Sequence, residues 1–391
     1  MFGSIYIGLS GLNAYSQGLK TVSNNVSNLN TSGFKASDVS FSDVYGGSSA
    51  GGLAYGSGYT GQGHGVNFDS VTINFKQGEL RETGRDLDLA VDGNGFFVLM
   101  DGDATYYART GSFMVDDDGF VVMAGTDYRL GVLDETGRPA SLNIDSLRTS
   151  APEKTTSITF TDNLSSTATS FTIPDVKVYD ERGGEHLWTL TFSREETVFD
   201  EWTVKVTDAN DDEVGSQTLA ISNGVVMPAN ATLTFADTDA GLSVAFDFSK
   251  ITSYSSGDVS TLRASDVDGH ATGSIATLAV NAKGQFEIAY SNEEKRELGA
   301  IALADFRDPQ KLEQRSNGLF VLNGFGQVQY LTAEDTRVGS ILSRRLEASN
   351  VDLGAQFGDL ILIQRGFQAS SQIISITNDM IQQLFGIRGQ G

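Results

Sequence analysis

No cysteine occurs in the 391 residues, and that absence removes disulfides, thiolate metal sites and a cysteine nucleophile together. A chain without thiols is also indifferent to passage from a reducing to an oxidising compartment. Histidine is scarce: His64, His186 and His270 lie in separate segments and in no metal-ligand spacing. Serine is plentiful, but no Gly-x-Ser-x-Gly elbow and no neighbouring His are present, so no catalytic residue, metal site or cofactor is expected. No stretch approaches the ~20 apolar residues needed to span a bilayer. The opening residues, Met1 to Ser10, have no basic n-region, no unbroken apolar core and no cleavage site, so no cleavable Sec-type leader is expected. Export, if it occurs, reads something else.

Basic residues are the next shortage. The formal net charge is -23, from 27 basic and 50 acidic side chains. Residues 1–34 carry only Lys20, and residues 353–391 carry Arg365 and Arg388 against Asp359 and Asp379. That leaves 24 basic and 48 acidic groups in the middle, which therefore holds the whole negative surplus. An acidic body keeps the chain soluble and argues against nucleic acid or an anionic membrane as partner. The ends are polar through Ser, Asn and Gln, and a neutral polar face can be packed against protein without desolvating ions.

Those neutral ends carry matched stripes. Ile5, Leu12, Leu19 and Val26 recur every seventh residue, with Tyr15, Val22 and Leu29 three positions later. Leu353, Leu360, Phe367, Ile374 and Ile381 repeat the pattern at the other end. This spacing predicts two amphipathic helices, the first over 4–29, that pair in a coiled-coil-like manner. An intramolecular helical hairpin and a larger assembly are both compatible with the spacing.

Between the ends the sequence reads as β-structure punctuated by glycine. A low-complexity stretch from Gly46 to Gly65 predicts that 35–75 is an extended or hinge-like connector. Asp92-Gly93-Asn94-Gly95 between Leu87–Val91 and Phe96–Leu99 reads as a hairpin turn, as does Asp116-Asp117-Asp118-Gly119 between Tyr106–Val115 and Phe120–Met123. A third glycine-linked hairpin is expected from Leu319–Leu322 to Val328–Leu331. From 149 to 284, alternation such as Trp188, Leu190, Phe192 and Trp202, Val204, Val206 predicts an antiparallel sandwich or barrel. The expected fold is mainly β with α-helical termini: helices from 1–34 and 349–391, an inner β domain from 76–148 and 285–348, and an inserted outer β domain at 149–284. Two motif matches fail on context. Gly56-Ser57-Gly58-Tyr59-Thr60-Gly61 has neither the preceding strand nor the following helix of a dinucleotide site. Asp208, Asn210 and Asp212 begin a calcium-loop spacing that Glu213 and Leu219 break.

Asn24-Asn25-Val26-Ser27-Asn28-Leu29-Asn30-Thr31-Ser32-Gly33-Phe34-Lys35 resembles the N-terminal signature of the bacterial flagellar rod and hook family. Gly84 to Phe97, Arg109-Thr110-Gly111-Ser112-Phe113, and Glu347 to Leu353 followed by Gln364-Arg365-Gly366-Phe367-Gln368-Ala369 resemble further motifs of that family, in the right order. Asn24, Asn25, Asn28, Gly33, Phe34, Lys35, Asn350, Gln364 and Arg365 are the motif residues carried over. The large insert at 149–284 implies the hook branch, with a distal rod subunit as the alternative. The resemblance implies a non-enzymatic subunit of an extracellular tube, bendable but torsionally stiff, whose terminal helices line an export channel. Implied partners are further copies of itself, distal rod and hook-filament junction proteins, a hook cap during assembly and the flagellar type III export apparatus. Phe41 and Tyr45 fall on a possible export element, with Tyr45 standing where a second Phe is usual. Gln356 stands where many relatives carry Glu, which would remove a possible intersubunit salt bridge.

Overall fold

The computed structural model describes residues 2–45, 63–195, 201–238, 240–324 and 326–388. The Gly56–Gly61 match lies outside them. The chain divides into two compact units, the first Met1–Asp145, Leu278–Glu287 and Glu297–Gly391, the second Ser146–Thr277 and Ile288–Arg296.

The first unit contains both long helices, α1 (Phe2–Ser27) and α2 (Leu353–Arg388). α1 stops in the polar turn at Asn28 to Gly33, where Gly33 takes φ +71, a left-handed conformation that side-chain-bearing residues rarely adopt. α2 starts on Asp352, whose Oδ1 accepts the Gly354 and Ala355 amides at 2.8 and 3.1 Å, so two otherwise orphaned donors are satisfied.

The expected connector is ordered where it is described. Strands β1 (Ser37–Tyr45) and β2 (Gly63–Ile73) pair antiparallel from Ser37 opposite Ile73 to Tyr45 opposite Gly63. The hairpin lies along α1, with Phe41 5.5 Å from Tyr15 and 6.4 Å from Phe68 between ring centroids. Flanking Val39 and Phe41 approach Gly18 of the helix, and Phe41 packs between the Tyr15 and Phe68 rings, so apolar contacts hold these strands against α1.

Most of the rest of this unit is a 12-stranded sheet system, with Leu80–Glu82 and Arg345–Glu347 forming a separate two-stranded pair. Two of the three expected hairpins are not formed as such. Asp88–Asp92 pairs with Thr110–Val115 and Ser340–Ser343, whereas Phe96–Asp101 pairs with Ala104–Ala108, Arg129–Leu133 and Leu303–Phe306. The intervening carbonyls of Gly93 and Gly95 instead receive the Arg109 guanidinium, each at 2.5 Å. Leu319–Leu322 pairs with Leu312–Gln314 and Ala104–Ala108, and Val328–Leu331 pairs with Leu303–Phe306. In both cases the pairing partners come from distant segments, and four antiparallel steps separate the two strands, so they run in the same sense along the sheet instead of folding back on each other. The Asp116–Gly119 turn does close a hairpin, Phe113 opposite Met123 and Val115 opposite Val121, with Asp116 Oδ1 accepting the Phe120 amide at 2.7 Å.

The second unit is built around a nine-stranded sheet. Its strands alternate buried and exposed as the sequence does: Trp202, Val204 and Val206 point inward from Glu201–Thr207. The sheet departs from the antiparallel expectation at one pair, Ser157–Asn163 running parallel to Leu242–Thr252. Asp208 is spent on the turn between two strands, its Oδ1 accepting the Asn210 and Asp212 amides at 2.9 and 2.8 Å. Both tryptophans of the chain, Trp188 and Trp202, are fully buried in this core with Phe160, Phe192, Phe246 and Phe248. Phe246 touches the rings of Phe160, Trp188, Phe235 and Phe248. Phe246→Ala is therefore expected to destabilise this unit by about 3–5 kcal/mol. Denaturant unfolding followed by tryptophan emission reads the second unit alone and checks this; an unchanged midpoint contradicts it.

Candidate functional site: the terminal helices and their junction

α1 and α2 run antiparallel in direct contact. The face that α1 buries is small: Gly8, Gly11, Ala14 and Gly18, then Val22 and Asn25. Close approach is what these residues permit. A Cβ built on Gly8 would lie 2.8 Å from Ile374 Cγ1, and one on Gly18 would lie 3.2 Å from Ile363 Cδ1 and 3.1 Å from the Phe41 ring. Reciprocally, Gly366 of α2 makes room for the Tyr15 ring, 2.5 Å from the position a Cβ would take. Among the described side chains of α2 the buried positions are Gln356, Ile363, Ser370 and Thr377, one every seven residues. A seven-residue seam of this kind keeps one face of the helix toward its partner.

The residues singled out by their apolar repeat sit mostly beside this seam. Val22 is buried; Ile5, Leu12, Tyr15, Leu19, Val26 and Leu29 are half-buried, as are Leu360, Ile374 and Ile381. Leu353 and Phe367 are exposed, at 38% and 43%. α2 also exposes Phe357, Ile361, Leu362, Ile373, Ile376 and Met380, and α1 exposes Tyr6 and Leu9. A groove of about 290 Å³ between β1 and α2 is lined by Val39, Phe41, Leu362 and Ile363 among others. So much contiguous apolar surface is unusual for a helix pair that faces only water.

Below the helices three chain segments cross and are tied by a few side chains. The Glu347 carboxylate is fully buried; its Oε1 accepts Lys35 Nζ at 2.6 Å and the Gly78 amide at 2.7 Å. Lys35 Nζ also donates to the Lys76 carbonyl at 2.7 Å. Arg109 Nε lies 3.4 Å from Glu347 Oε2, an ionic contact without hydrogen-bond alignment. The Glu347 backbone takes part as well, its carbonyl accepting the Gly33 amide at 2.8 Å. Asn350 accepts the Ala36 amide at 2.7 Å and donates to the carbonyls of Asn74 and Lys76 at 2.7 and 2.8 Å. Asn25 donates to the Ser37 carbonyl at 2.9 Å, accepts the Ser37 amide at 3.0 Å, and donates to Gln356 Oε1 at 2.9 Å. Phe34, Ala36 and Val351 form a small apolar core beside these groups.

Burial pushes Lys35 below the usual lysine range, although Glu347 pulls the other way; Arg109 is lowered for the same two opposed reasons. Desolvation thus outweighs pairing, and the cluster specifies the geometry of the crossing more than it stabilises it. The unfolded chain binds the Lys35 proton more tightly. This penalty is full below the folded value and is relieved as pH rises from there to the ordinary lysine value.

Of the motif residues, Asn25, Gly33, Phe34, Lys35 and Asn350 converge on this junction. Asn28 turns back on Asn24 in the last turn of α1, donating to its carbonyl at 2.9 Å. Gln364 and Arg365 are exposed on α2, away from the junction. Phe41 packs on α1, and the Tyr45 side chain lies outside the described residues. Sequence reasoning did not single out Glu347 or Arg109, although both sit in motifs it quoted. It also passed over the glycine seam and the buried Ser370 and Thr377, because a search for apolar repeats skips small and polar residues, and it noted Gln356 only as a departure from relatives, not as a partner of Asn25. The signal was present as glycine at positions 8, 11 and 18 of one helix.

Three family models match the chain: flagella basal body rod protein over residues 5–35, flagellar hook protein FlgE/F/G D1 domain over 90–173, and flagellar basal body rod FlgEFG protein C-terminal over 342–387. They place the chain in the class of axial structural subunits of the flagellum. The flagellar hook protein FlgE of Brucella suis is 30% identical over 414 residues, covering 99% of each chain. That of Salmonella typhimurium is 28% identical over 412 residues, covering 97% of this chain and 98% of its own, and that of Borreliella burgdorferi is 27% identical over 442 residues, covering 99% and 100%. A solved flagellar hook protein FlgE2 of Helicobacter pylori aligns with TM-score 0.49 at 12% identity, over 68% of this chain and 98% of that one. The chain belongs to the flagellar hook protein family and is a hook subunit of the bacterial flagellum, a structural rather than catalytic family.

Replacing Glu347 leaves two cations buried without their counter-ion, so Glu347→Leu is expected to destabilise the first unit by about 3–5 kcal/mol. Lys35→Met is expected to cost less, since Glu347 keeps Arg109 and the Gly78 amide. Far-ultraviolet circular dichroism during denaturation checks the order, with tryptophan emission as an internal reference that neither change should move.

Proposed function

We propose that this chain polymerises through its terminal helices into a curved, flexible tube that transmits torque from rod to filament outside the cell. In this reading residues 1–34 and 349–391 form the inner layer around the export channel. Residues 76–148 with 285–348 form the middle layer, and residues 149–284 the outer one. Residues 37–45 and 63–73 brace the inner layer rather than act as a loose connector. The half-buried Ile5, Leu12, Tyr15, Leu19, Val26, Leu29, Leu360, Ile374 and Ile381, with the exposed Leu353 and Phe367, are the groups that meet neighbouring copies. The observation that carries this is the apolar surface that α1 and α2 leave uncovered after pairing with each other. Its burial on assembly stabilises the tube by hydrophobic packing, without desolvating charge.

The further partners are distal rod and hook-filament junction proteins at the two ends, a hook cap during growth, and the type III export apparatus, which takes the chain across. The Phe41 segment is the candidate export element. The chain works as a structural element, without nucleic acid, cofactor, catalysis or membrane insertion.

Phe367→Asp places a charge where a neighbour is expected and should abolish tube formation, while tryptophan emission shows the outer β unit still folded. Electron microscopy of purified hooks reads the result. Tubes of normal yield and curvature from this variant sink the proposal.

A further inference from the structure

We infer that the second unit carries a contact surface for a neighbouring copy of this chain, an uncharged apolar patch made by Val225, Met227, Tyr254 and Val259. The inference rests on the proposed assembly and adds to it a contact that the terminal helices do not make. Among the described residues of the second unit these are the only large apolar side chains that stand exposed, at 49%, 46%, 57% and 67%. They come from two segments that the fold brings side by side.

Val226 is buried, so alternation along the chain turns Val225 and Met227 outward on either side of it. Val225 stands opposite Thr252, and the Ser253 amide donates to the Gly224 carbonyl at 2.9 Å. This register puts Tyr254 on the face that carries Val225. Its ring lies across Gly224, where a Cβ would come within 2.5 Å of it, and Gly224 holds φ +79 in the turn. The loop that carries Tyr254 and Val259 is pinned from beneath. Asn163 accepts the Tyr254 amide at 2.8 Å and donates to the Tyr254 carbonyl and to Ser256 Oγ, both at 3.1 Å. Fully buried Ser165 donates its hydroxyl to the Gly257 carbonyl, and its amide donates to Ser260 Oγ at 2.9 Å. Ser256 Oγ closes the loop by donating to the Val259 carbonyl at 2.7 Å. An apolar group held in this way loses little freedom when it is covered.

Charge selects the occupant. Residues 149–284 carry 20 acidic and 8 basic side chains, so most of this unit's surface repels another copy. The patch lies where that charge is missing: residues 214–236 and 251–257 contain no Asp, Glu, Lys or Arg, and Asp258 beside Val259 is the one acid in the loop. A basic partner would be drawn to the acidic faces instead, and an anionic membrane is repelled. A second copy has the opposite requirement. It approaches at least cost where ions are not desolvated and like charges are not brought together. Copies in a tube share one polarity, so the patch meets a different face of the next copy and not itself.

Because the chain has no cysteine, single thiols report the contact. Val259→Cys, a small neutral exchange, and Arg182→Cys, in an exposed turn with Asp180 and Glu181, are each purified as assembled hooks and as single full-length chains. Modification by N-ethylmaleimide should slow roughly tenfold in hooks at position 259, because a covered apolar contact excludes water, and should change less than about twofold at position 182. Should Val259→Cys fold, as read by tryptophan emission, yet fail to assemble, Met227→Cys gives the same reading. Irradiating hooks with Tyr254→p-benzoylphenylalanine should yield a product of twice the chain's mass. Equal modification rates in hooks and single chains at position 259 overturn the patch contact and leave assembly through the helices standing. A photoproduct with any other protein overturns the second copy as occupant. Failure of the unaltered chain to form tubes overturns the proposed assembly, and this contact with it.

Discussion

The Glu347 carboxylate is the point on which the first unit turns. It is fully buried, and a carboxylate in that position must be neutralised and hydrogen-bonded or it will not stay. Lys35 arrives from the segment after α1, Gly78 from the segment after β2, and Arg109 from the sheet. Satisfying one charge thus fixes three crossings of the chain, and the strand that carries Glu347 runs on into α2. Asn350 repeats the device three residues later with neutral groups. The helices stand where they do because the backbone entering and leaving them is held at these two residues.

Above that fixed base, the helix pair is built for closeness more than for strength. Glycine and alanine bring the two backbones together but bury little apolar area, and the larger side chains are displaced to the flanks. A pair that spent its Leu, Ile and Phe on itself would have little left for neighbours. The sparse charge of the helices belongs to the same design, since the negative surplus lies on the body between them.

The inserted unit is simpler. Its core holds both tryptophans and a chain of touching phenylalanines, and strict inside-outside alternation makes its strand faces unambiguous. Such a unit needs no help from the helices to define its interior, which fits a domain placed within another without disturbing it.

The sequence by itself determined the helices at both ends, the β body, the alternating strands of the insert and the family signatures, because each of these is a local pattern of period or composition. It also marked the Asp116–Gly119 hairpin, since aspartate and glycine act within a few residues. Tertiary structure alone decided which strands pair, as with Asp88–Asp92 and Phe96–Asp101, because pairing joins segments that are distant in sequence. It alone decided that Gln356, Ser370 and Thr377 form the seam while Phe367 faces outward. A heptad is read from apolar letters, whereas burial is set by how close two backbones come, and that closeness depends on glycines in the opposite helix. Glu347 likewise becomes central only when Lys35 and Arg109 are brought to it: the meaning of a charge lies in what surrounds it once water has been removed.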